Sequence, residues 1–133
     1  MVPGFKRPTR ILQVDDHAAV SQRISELLAG TVPEAEMVSV ASGEEGLNLA
    51  LTQSFDLVLL DLRLPGRSGI DILKELRASR PLLPVIIVSS LPESPYATLA
   101  RRAGAADFVT KSALVQELGR AVKTALGGAC AMA

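Results

Sequence analysis

The chain has 133 residues, of which 48% are hydrophobic and 21% are charged, and this balance predicts one packed domain and excludes a disordered chain. Its 14 lysines and arginines are matched by 14 acidic residues. Because binding to nucleic-acid phosphates needs a basic excess on one face, this charge balance argues against a domain that binds nucleic acid directly.

The N-terminal segment and the cysteine content bear on the cellular compartment. The segment carries Lys6, Arg7 and Arg10 but lacks the apolar stretch of a signal peptide. The longest apolar runs of the chain are too short to cross a bilayer. Cys130 is the single cysteine, so the chain has no internal disulfide that would require an oxidising compartment. We therefore expect a cytoplasmic protein without membrane contacts.

The first half of the chain alternates short apolar segments with amphipathic stretches. Residues 11–14, 37–40 and 57–60 are predicted strands, and the third of these is apolar throughout, as in a strand buried on both faces. Apolar residues between the strands recur at helical spacing. Gly30 and Pro33 are expected to end the first helix.

The second half continues the same alternation. Residues 84–88 and 107–109 are predicted strands, and a helical pattern of apolar residues follows each of the last three strands. Gly104 is expected to end the fourth helix.

Serine residues mark the predicted starts of three helices. Ser42 and Glu45 form a capping-box pattern before the second helix. The Ser94-Pro95 pair places a proline at the first position of the fourth helix. Ser112 is expected to cap the last helix.

Five strand–helix units in strict alternation predict an α/β fold. Such alternation is typical of a doubly wound, five-stranded parallel sheet, (βα)5, with helices on both faces and right-handed crossovers. We expect one domain over residues 8–127, with residues 1–7 and 128–133 as flexible termini.

Polar side chains follow or end four of the five predicted strands. They are Asp15, Asp16, Asp61, Ser89, Ser90 and Lys111. Ligand sites of open parallel sheets lie at the carboxyl ends of the strands, so we expect three carboxylates, a hydroxyl and an ammonium at one rim. Strand alternation points one of the two serines inward without deciding which.

Three neighbouring carboxylates repel one another, and their pKa values would rise unless a cation intervened. A hard divalent ion fits such a cluster, and Mg²⁺ keeps room for phosphate oxygens. No thiol or imidazole ends these strands, so zinc is disfavoured. His17 is interpreted as an exposed residue or a local cap at the start of the first helix. A metal, a lysine and a hydroxyl around a carboxylate are the groups that phosphoryl transfer to an aspartate needs.

The arrangement resembles the receiver domain of bacterial two-component response regulators over nearly the whole chain. Residues 61–66 with Gly69 resemble the phosphorylation loop of that family, and residues 103–111 resemble its fifth-strand segment. Residues 15–17 and 111–113 are more similar to the NarL/FixJ/LuxR-type subfamily, whose receivers usually precede a helix-turn-helix output domain. The resemblance implies the flavodoxin-like strand order 2-1-3-4-5.

The resemblance also implies roles for the acidic residues. Asp61 would be the phosphoacceptor and a ligand of Mg²⁺. Asp16 would bind Mg²⁺ directly, Asp15 would act mainly through a water molecule, and the backbone carbonyl of Arg63 would supply a further ligand.

Three other residues would form the switch. Lys111 would pair with Asp61 and afterwards with the phosphoryl group, Ser89 would be the switch hydroxyl, and Phe108 would be the switch aromatic. A phosphoryl group attracts a nearby hydroxyl, the hydroxyl vacates space, and the ring turns inward. The face formed by the fourth helix, fifth strand and fifth helix would then change shape.

The implied partners are a sensor histidine kinase, an output domain or downstream protein, and a second copy of the chain on phosphorylation. The chain would catalyse its own phosphorylation and dephosphorylation without turning over an external substrate. Three alternatives remain open. A Mg²⁺-dependent aspartate-nucleophile phosphatase would show steady turnover of a phosphate ester, a flavodoxin-like binding module would carry a coloured flavin, and a pseudo-receiver would act only as an interaction module.

Overall fold

The computed structural model describes residues 8–131, and the side chains of residues 8–127. The strands are β1 Arg10–Val14, β2 Glu36–Val40, β3 Leu57–Leu60, β4 Val85–Ser89 and β5 Asp107–Thr110. The helices are α1 Ala18–Thr31, α2 Gly43–Thr52, α3 Gly69–Ser79, α4 Glu93–Arg102 and α5 Gly119–Ala131. A 3₁₀ turn, Lys111–Ala113, and a π-helical turn, Leu114–Leu118, lead from β5 into α5.

The sheet confirms the expected architecture. All strand pairs are parallel, and the order is β2-β1-β3-β4-β5. Val14 of β1 lies beside Leu60 of β3, and the amide of Asp61 donates to the carbonyl of Val14 at 3.0 Å. This register brings Asp15 and Asp61, the next residue of each strand, to the same edge of the sheet.

The two faces of the sheet carry separate hydrophobic clusters. Along β3, Val58 and Leu60 pack with residues of α2, α3 and α4, whereas Leu57 and Leu59 pack with residues of α1 and α5. All four side chains of β3 are buried. The continuous apolar run of this strand therefore reflects burial on both faces, as the sequence predicts.

The starts of α2 and α4 agree with the sequence-based expectation. The amide of Glu45 donates to Ser42 Oγ at 3.2 Å, which confirms the cap of α2. Within α4, Ser94 has non-helical backbone angles, and the regular helical turns begin after it, as expected from Pro95.

One predicted helix terminus was confirmed to within a residue and another was wrong. α1 continues one residue past Gly30 to Thr31, the Val32 amide closes it on the Leu28 carbonyl, and Pro33 follows outside the helix. Ser112 does not cap the last helix. It lies inside the 3₁₀ turn, and its hydroxyl contacts Thr110 Oγ1 at 3.3 Å.

The predicted ends of the domain are only partly described. α5 extends to Ala131, four residues beyond the expected boundary at 127, while the flexibility expected of residues 1–7 and 132–133 lies outside the described residues. Among the residues that the structure describes, no helix combines the length and apolar character that a membrane span requires.

The start of α3 touches the end of β3 at Gly69. A Cβ atom on Gly69 would meet the carbonyl oxygen of Asp61 and would lie 2.6 Å from Leu62 Cα. The clash is with backbone, which cannot swing aside as the end of a side chain can. The absence of a side chain at Gly69 therefore lets the loop after Asp61 fold back onto the sheet.

We expect Gly69→Ala to lower the free energy of unfolding by about 2–3 kcal/mol, the cost of overpacking against backbone. Gly30→Ala is the matched control, because a Cβ there has no atom within 4 Å and alanine favours the helix by up to about 1 kcal/mol. Urea denaturation of both variants measures the difference, and equal stabilities would contradict the close approach at Gly69.

Candidate functional site

The carboxyl edge of the sheet holds a buried ion-pair cluster. Asp61 is 1% exposed and Asp15 is 7% exposed. Lys111 follows β5, and its Nζ lies 2.9 Å from Asp61 Oδ2 and 2.9 Å from Asp15 Oδ2. One ammonium therefore bridges two carboxylates that come from β1 and β3, as the order of the strand ends predicts.

The Asp61 carboxylate is held from both sides. Lys111 donates to Oδ2, and the backbone amide of Arg63 donates to Oδ1 at 3.2 Å. The Arg63 side chain is exposed. The structure thus shows the amide of Arg63 in contact with the site, while a role for its carbonyl stays a prediction.

The two carboxylates after β1 differ in exposure and in contacts. Asp15 Oδ1 accepts the backbone amide of His17 at 2.8 Å, and its buried Oδ2 faces the Lys111 ammonium at 2.9 Å. The Asp16 side chain is 38% exposed. Asp16 is therefore the more accessible carboxylate of the pair.

The His17 ring is exposed, as expected, and it also lies beside the acidic cluster, which was not expected. Its Nδ1 lies 3.1 Å from Asp15 Oδ1, 3.3 Å from Asp16 Oδ1 and 3.9 Å from Asp61 Oδ2. The side chain is 58% exposed and makes no capping hydrogen bond with α1. The expectation that no imidazole reaches these strand ends was therefore wrong.

The described residues contain one group of side chains that could hold a metal ion: Asp15, Asp16, His17 and Asp61. One ligand atom from each residue lies within 4.8 Å of the others. Three carboxylates suit a hard cation such as Mg²⁺, and the chemistry of the donor set therefore fits the metal that the sequence predicts.

The electrostatics of Lys111 show the strength of the cluster. Partial burial disfavours its ammonium, but hydrogen bonds to Asp15 and Asp61, together with the charges of both carboxylates, outweigh this effect and raise the pKa of Lys111. The side chain is 12% exposed. Lys111 is therefore held in its charged form beside Asp61.

Ser89 and Phe108, the residues expected to form the switch, are both buried. Ser89 is fully buried at the end of β4, and its hydroxyl accepts the Leu91 amide at 3.2 Å. Ser90 is exposed, which favours Ser89 as the inward hydroxyl. Phe108 is 3% exposed and packs in the hydrophobic cluster on the sheet face covered by α2, α3 and α4. Its ring is therefore buried in the protein core in this structure.

Comparison with known proteins gives a family match over most of the chain. A family model described as the response regulator receiver domain matches residues 11–123. The response regulator GacA of Pseudomonas aeruginosa is 34% identical over 120 residues, which are 90% of this chain and 56% of GacA. The chain therefore spans about half the length of the curated relatives that it matches.

Two solved structures are similar in fold and in sequence. A response regulator receiver domain protein from Clostridium thermocellum has a TM-score of 0.82 and 30% identity, covering 94% of this chain and 99% of that chain. The response regulator TrrA of Thermotoga maritima, solved in complex with Mg²⁺-BeF, has a TM-score of 0.79 and 30% identity. The match covers 89% of this chain and 99% of the TrrA chain.

We expect Lys111→Gln to lower the free energy of unfolding by about 2–4 kcal/mol without divalent metal, because it leaves two buried carboxylates without their cation. Lys123→Gln is the control, since Lys123 is exposed on α5 and its loss should change stability by less than about 0.5 kcal/mol. Urea denaturation measures both. If Lys111→Gln lowers the free energy of unfolding no more than Lys123→Gln does, the bridging role of Lys111 is contradicted.

The effect of Lys111 on stability has a defined dependence on alkaline pH. Because the folded-state pKa of Lys111 is raised, its stabilising contribution is complete below the ordinary lysine pKa of about 10.4 and is lost as the pH rises through the raised value. The stability difference between wild type and Lys111→Gln should therefore hold between about pH 7 and 9 and narrow above about 10.4.

Proposed function

Because this chain belongs to the response regulator receiver domain family, we propose that Asp61 accepts a phosphoryl group from a sensor histidine kinase in the cytoplasm. The observation that carries the proposal is the contact of Lys111 Nζ with the buried Asp61 carboxylate at 2.9 Å. This contact fixes the Asp61 carboxylate at the edge of the sheet and places a cation beside the group that would attack phosphorus.

The metal of this reaction would be Mg²⁺, held by Asp16, Asp61 and the Arg63 carbonyl, with Asp15 acting through a water molecule. Mg²⁺ supplies positive charge to the transferring phosphoryl oxygens. The exposure of the two side chains supports these different roles, since Asp15 is 5% exposed and Asp16 is 38% exposed. The Mg²⁺-BeF complex of TrrA supports the same choice of metal.

The residues of the chain would then carry the transfer. An Asp61 oxygen forms a bond to phosphorus while the phosphorus–nitrogen bond of the phosphohistidine donor breaks, and the donor imidazole leaves with that electron pair. Lys111 stays beside the reacting oxygens and stabilises the charge that spreads over the phosphoryl group.

Phosphorylation would act on the rest of the domain through Ser89. Its hydroxyl accepts the Leu91 amide in this structure, and a phosphoryl group on Asp61 offers it a stronger, charge-assisted bond as a donor. Movement of Ser89 would release the loop that precedes α4. The buried Phe108 ring would then be held inside, which biases the domain towards its active state.

The output face would be formed by α4, β5 and α5. There the Asp107 carboxylate of β5 lies 3.5 Å from the Arg101 guanidinium of α4 and 3.9 Å from the Arg120 guanidinium of α5, and Val115, in the π-helical turn before α5, is 58% exposed. This mixture of apolar and charged groups suits a partner protein, an output domain or a second copy of the chain. The NarL/FixJ/LuxR-type resemblance, with a helix-turn-helix output, remains a prediction, as does the domain boundary at residues 8–127.

We expect one phosphoryl group to be added when the protein is incubated with acetyl phosphate and Mg²⁺, as measured by intact-protein mass. Asp61→Asn and a metal-free sample should both remain unlabelled, because the first removes the nucleophile and the second removes the charge that stabilises transfer. Asp56→Asn is the matched control, since Asp56 precedes β3 at its opposite end and its loss should leave labelling intact. Labelling of Asp61→Asn would place the phosphoacceptor elsewhere.

Ser89→Ala should retain beryllofluoride binding but lose most of the structural response. The methyl group cannot donate a hydrogen bond to the phosphoryl mimic, so the loop before α4 has no reason to move. NMR of the Phe108 amide and of α4 measures the response, and Ser89→Thr, which keeps the hydroxyl, should preserve it. A full response in Ser89→Ala would exclude this hydroxyl as the link.

A further inference from the structure

A groove separates α3 from α4 on the outer surface of the domain. It has a volume of about 340 Å³, and its lining consists of Ile70, Lys74, Leu99, Arg102 and Ala103. No residue of β5 or α5 is among them. Since this volume lies at the small end of ligand-binding clefts, the groove has room for a side chain of a partner and not for a large cofactor.

The groove exposes apolar surface to water. Leu99 is 47% exposed, and Ile70 is only partly buried at the edge of the hydrophobic cluster beneath α3 and α4. Single exposed leucines are common on protein surfaces, but Leu99 lies in a concave site beside a second apolar side chain. An apolar side chain of a partner would therefore remove both residues from water.

The charged residues at the groove are all basic. Lys74 and Arg102 are exposed, and neither side chain has an ion-pair or hydrogen-bond partner among the residues that the structure describes. In a chain with 14 basic and 14 acidic residues, two unpaired cations beside one groove form a local excess of positive charge. The groove therefore favours a partner that carries carboxylates.

The acidic side chains nearest to the two helices are engaged elsewhere. On α3, Glu75 pairs with Arg67, and this guanidinium also lies in the field of Asp71. Beside α4, Asp107 of β5 pairs with Arg101. These ion pairs leave the two cations of the groove without a neutralising carboxylate from the chain itself.

Packing fixes both walls of the groove. At the start of α3, Gly69 packs directly on the backbone that follows β3. After α4, Gly104 has a φ of 107°, and a Cβ atom there would overlap the Arg77 side chain of α3. Arg77 in turn donates to the carbonyls of Arg80 and Pro81. The groove is therefore formed before a partner binds, which lowers the entropic cost of docking.

We infer that the groove between α3 and α4 is a docking surface for an acidic amphipathic segment of a partner protein. An apolar side chain of that segment packs against Ile70 and Leu99, and carboxylates on either side of it pair with Lys74 and Arg102. A protein segment fits better than an anionic membrane, because the apolar contacts lie inside a groove and not on a flat surface. The inference goes beyond the proposed function, since the surface is complete without phosphorylation of Asp61.

The inference is tested with synthetic peptides and the unphosphorylated full chain. The probe is an alanine-based helical peptide of about 16 residues, with leucines on one face and glutamates beside them, and a matched peptide carries glutamine in place of glutamate. We expect the glutamate peptide to bind with a Kd below about 1 mM and about fivefold more tightly than the glutamine peptide. It should shift the NMR signals of Ile70 and Leu99.

Matched substitutions test the contacts one by one. Arg102→Gln should weaken binding of the glutamate peptide about threefold, whereas Arg23→Gln, an equal change of charge on the exposed side of α1, should leave it unchanged. Leu99→Ser should weaken binding of both peptides about fivefold. The double variant Lys74→Glu with Arg102→Glu should instead prefer a peptide that carries lysine in place of glutamate. Because the changed residues are exposed, each variant should fold, which thermal unfolding checks.

Several results would overturn the inference. They are no binding of the glutamate peptide at about 1 mM, equal binding of the glutamate and glutamine peptides, NMR shifts confined to β5 and α5, and equal losses in Arg102→Gln and Arg23→Gln. Tighter binding to phosphatidylglycerol vesicles through the same residues would assign the groove to a membrane and also overturn it. None of these results bears on the labelling of Asp61, so the proposed function stands or fails separately.

Discussion

The Lys111 ammonium is the constraint on which the site depends. It bridges Asp15 and Asp61, two buried carboxylates that would otherwise repel each other at the edge of the sheet. Burial alone would disfavour this charge, and the two carboxylates reverse that effect and raise the pKa of Lys111. The same cation that stabilises the resting cluster would therefore already be in place when, under the proposed function, Asp61 acquires the charge of a phosphoryl group.

The sheet delivers these groups because its buried centre has little freedom. β3 is covered on both faces, and its register with β1 fixes Asp61 beside Asp15. Gly69 then lets the following loop turn back against the Asp61 carbonyl, which keeps the Arg63 amide within reach of the carboxylate. The packing of the core therefore also fixes the position of the Asp61 carboxylate.

Repulsion between carboxylates can be relieved by more than one cation. Lys111 neutralises the buried carboxylates of the cluster. Asp16 and the His17 ring line its accessible side, where a divalent ion would bind. Under the proposed function, the buried Ser89 and Phe108 would connect phosphoryl transfer to the face of α4, β5 and α5.

The sequence by itself determined the strand positions, the parallel class of the sheet and the strand ends at which Asp15, Asp61 and Lys111 lie. Apolar runs and turn residues are local signals, and parallel strands must place their carboxyl ends on one edge. Only the tertiary structure decided that the His17 ring turns into the cluster, that Ser89 faces inward, and that Ser112 belongs to a 3₁₀ turn. Those outcomes depend on side-chain orientation and on contacts between residues up to 94 positions apart, as between Lys111 and His17, which no local pattern specifies.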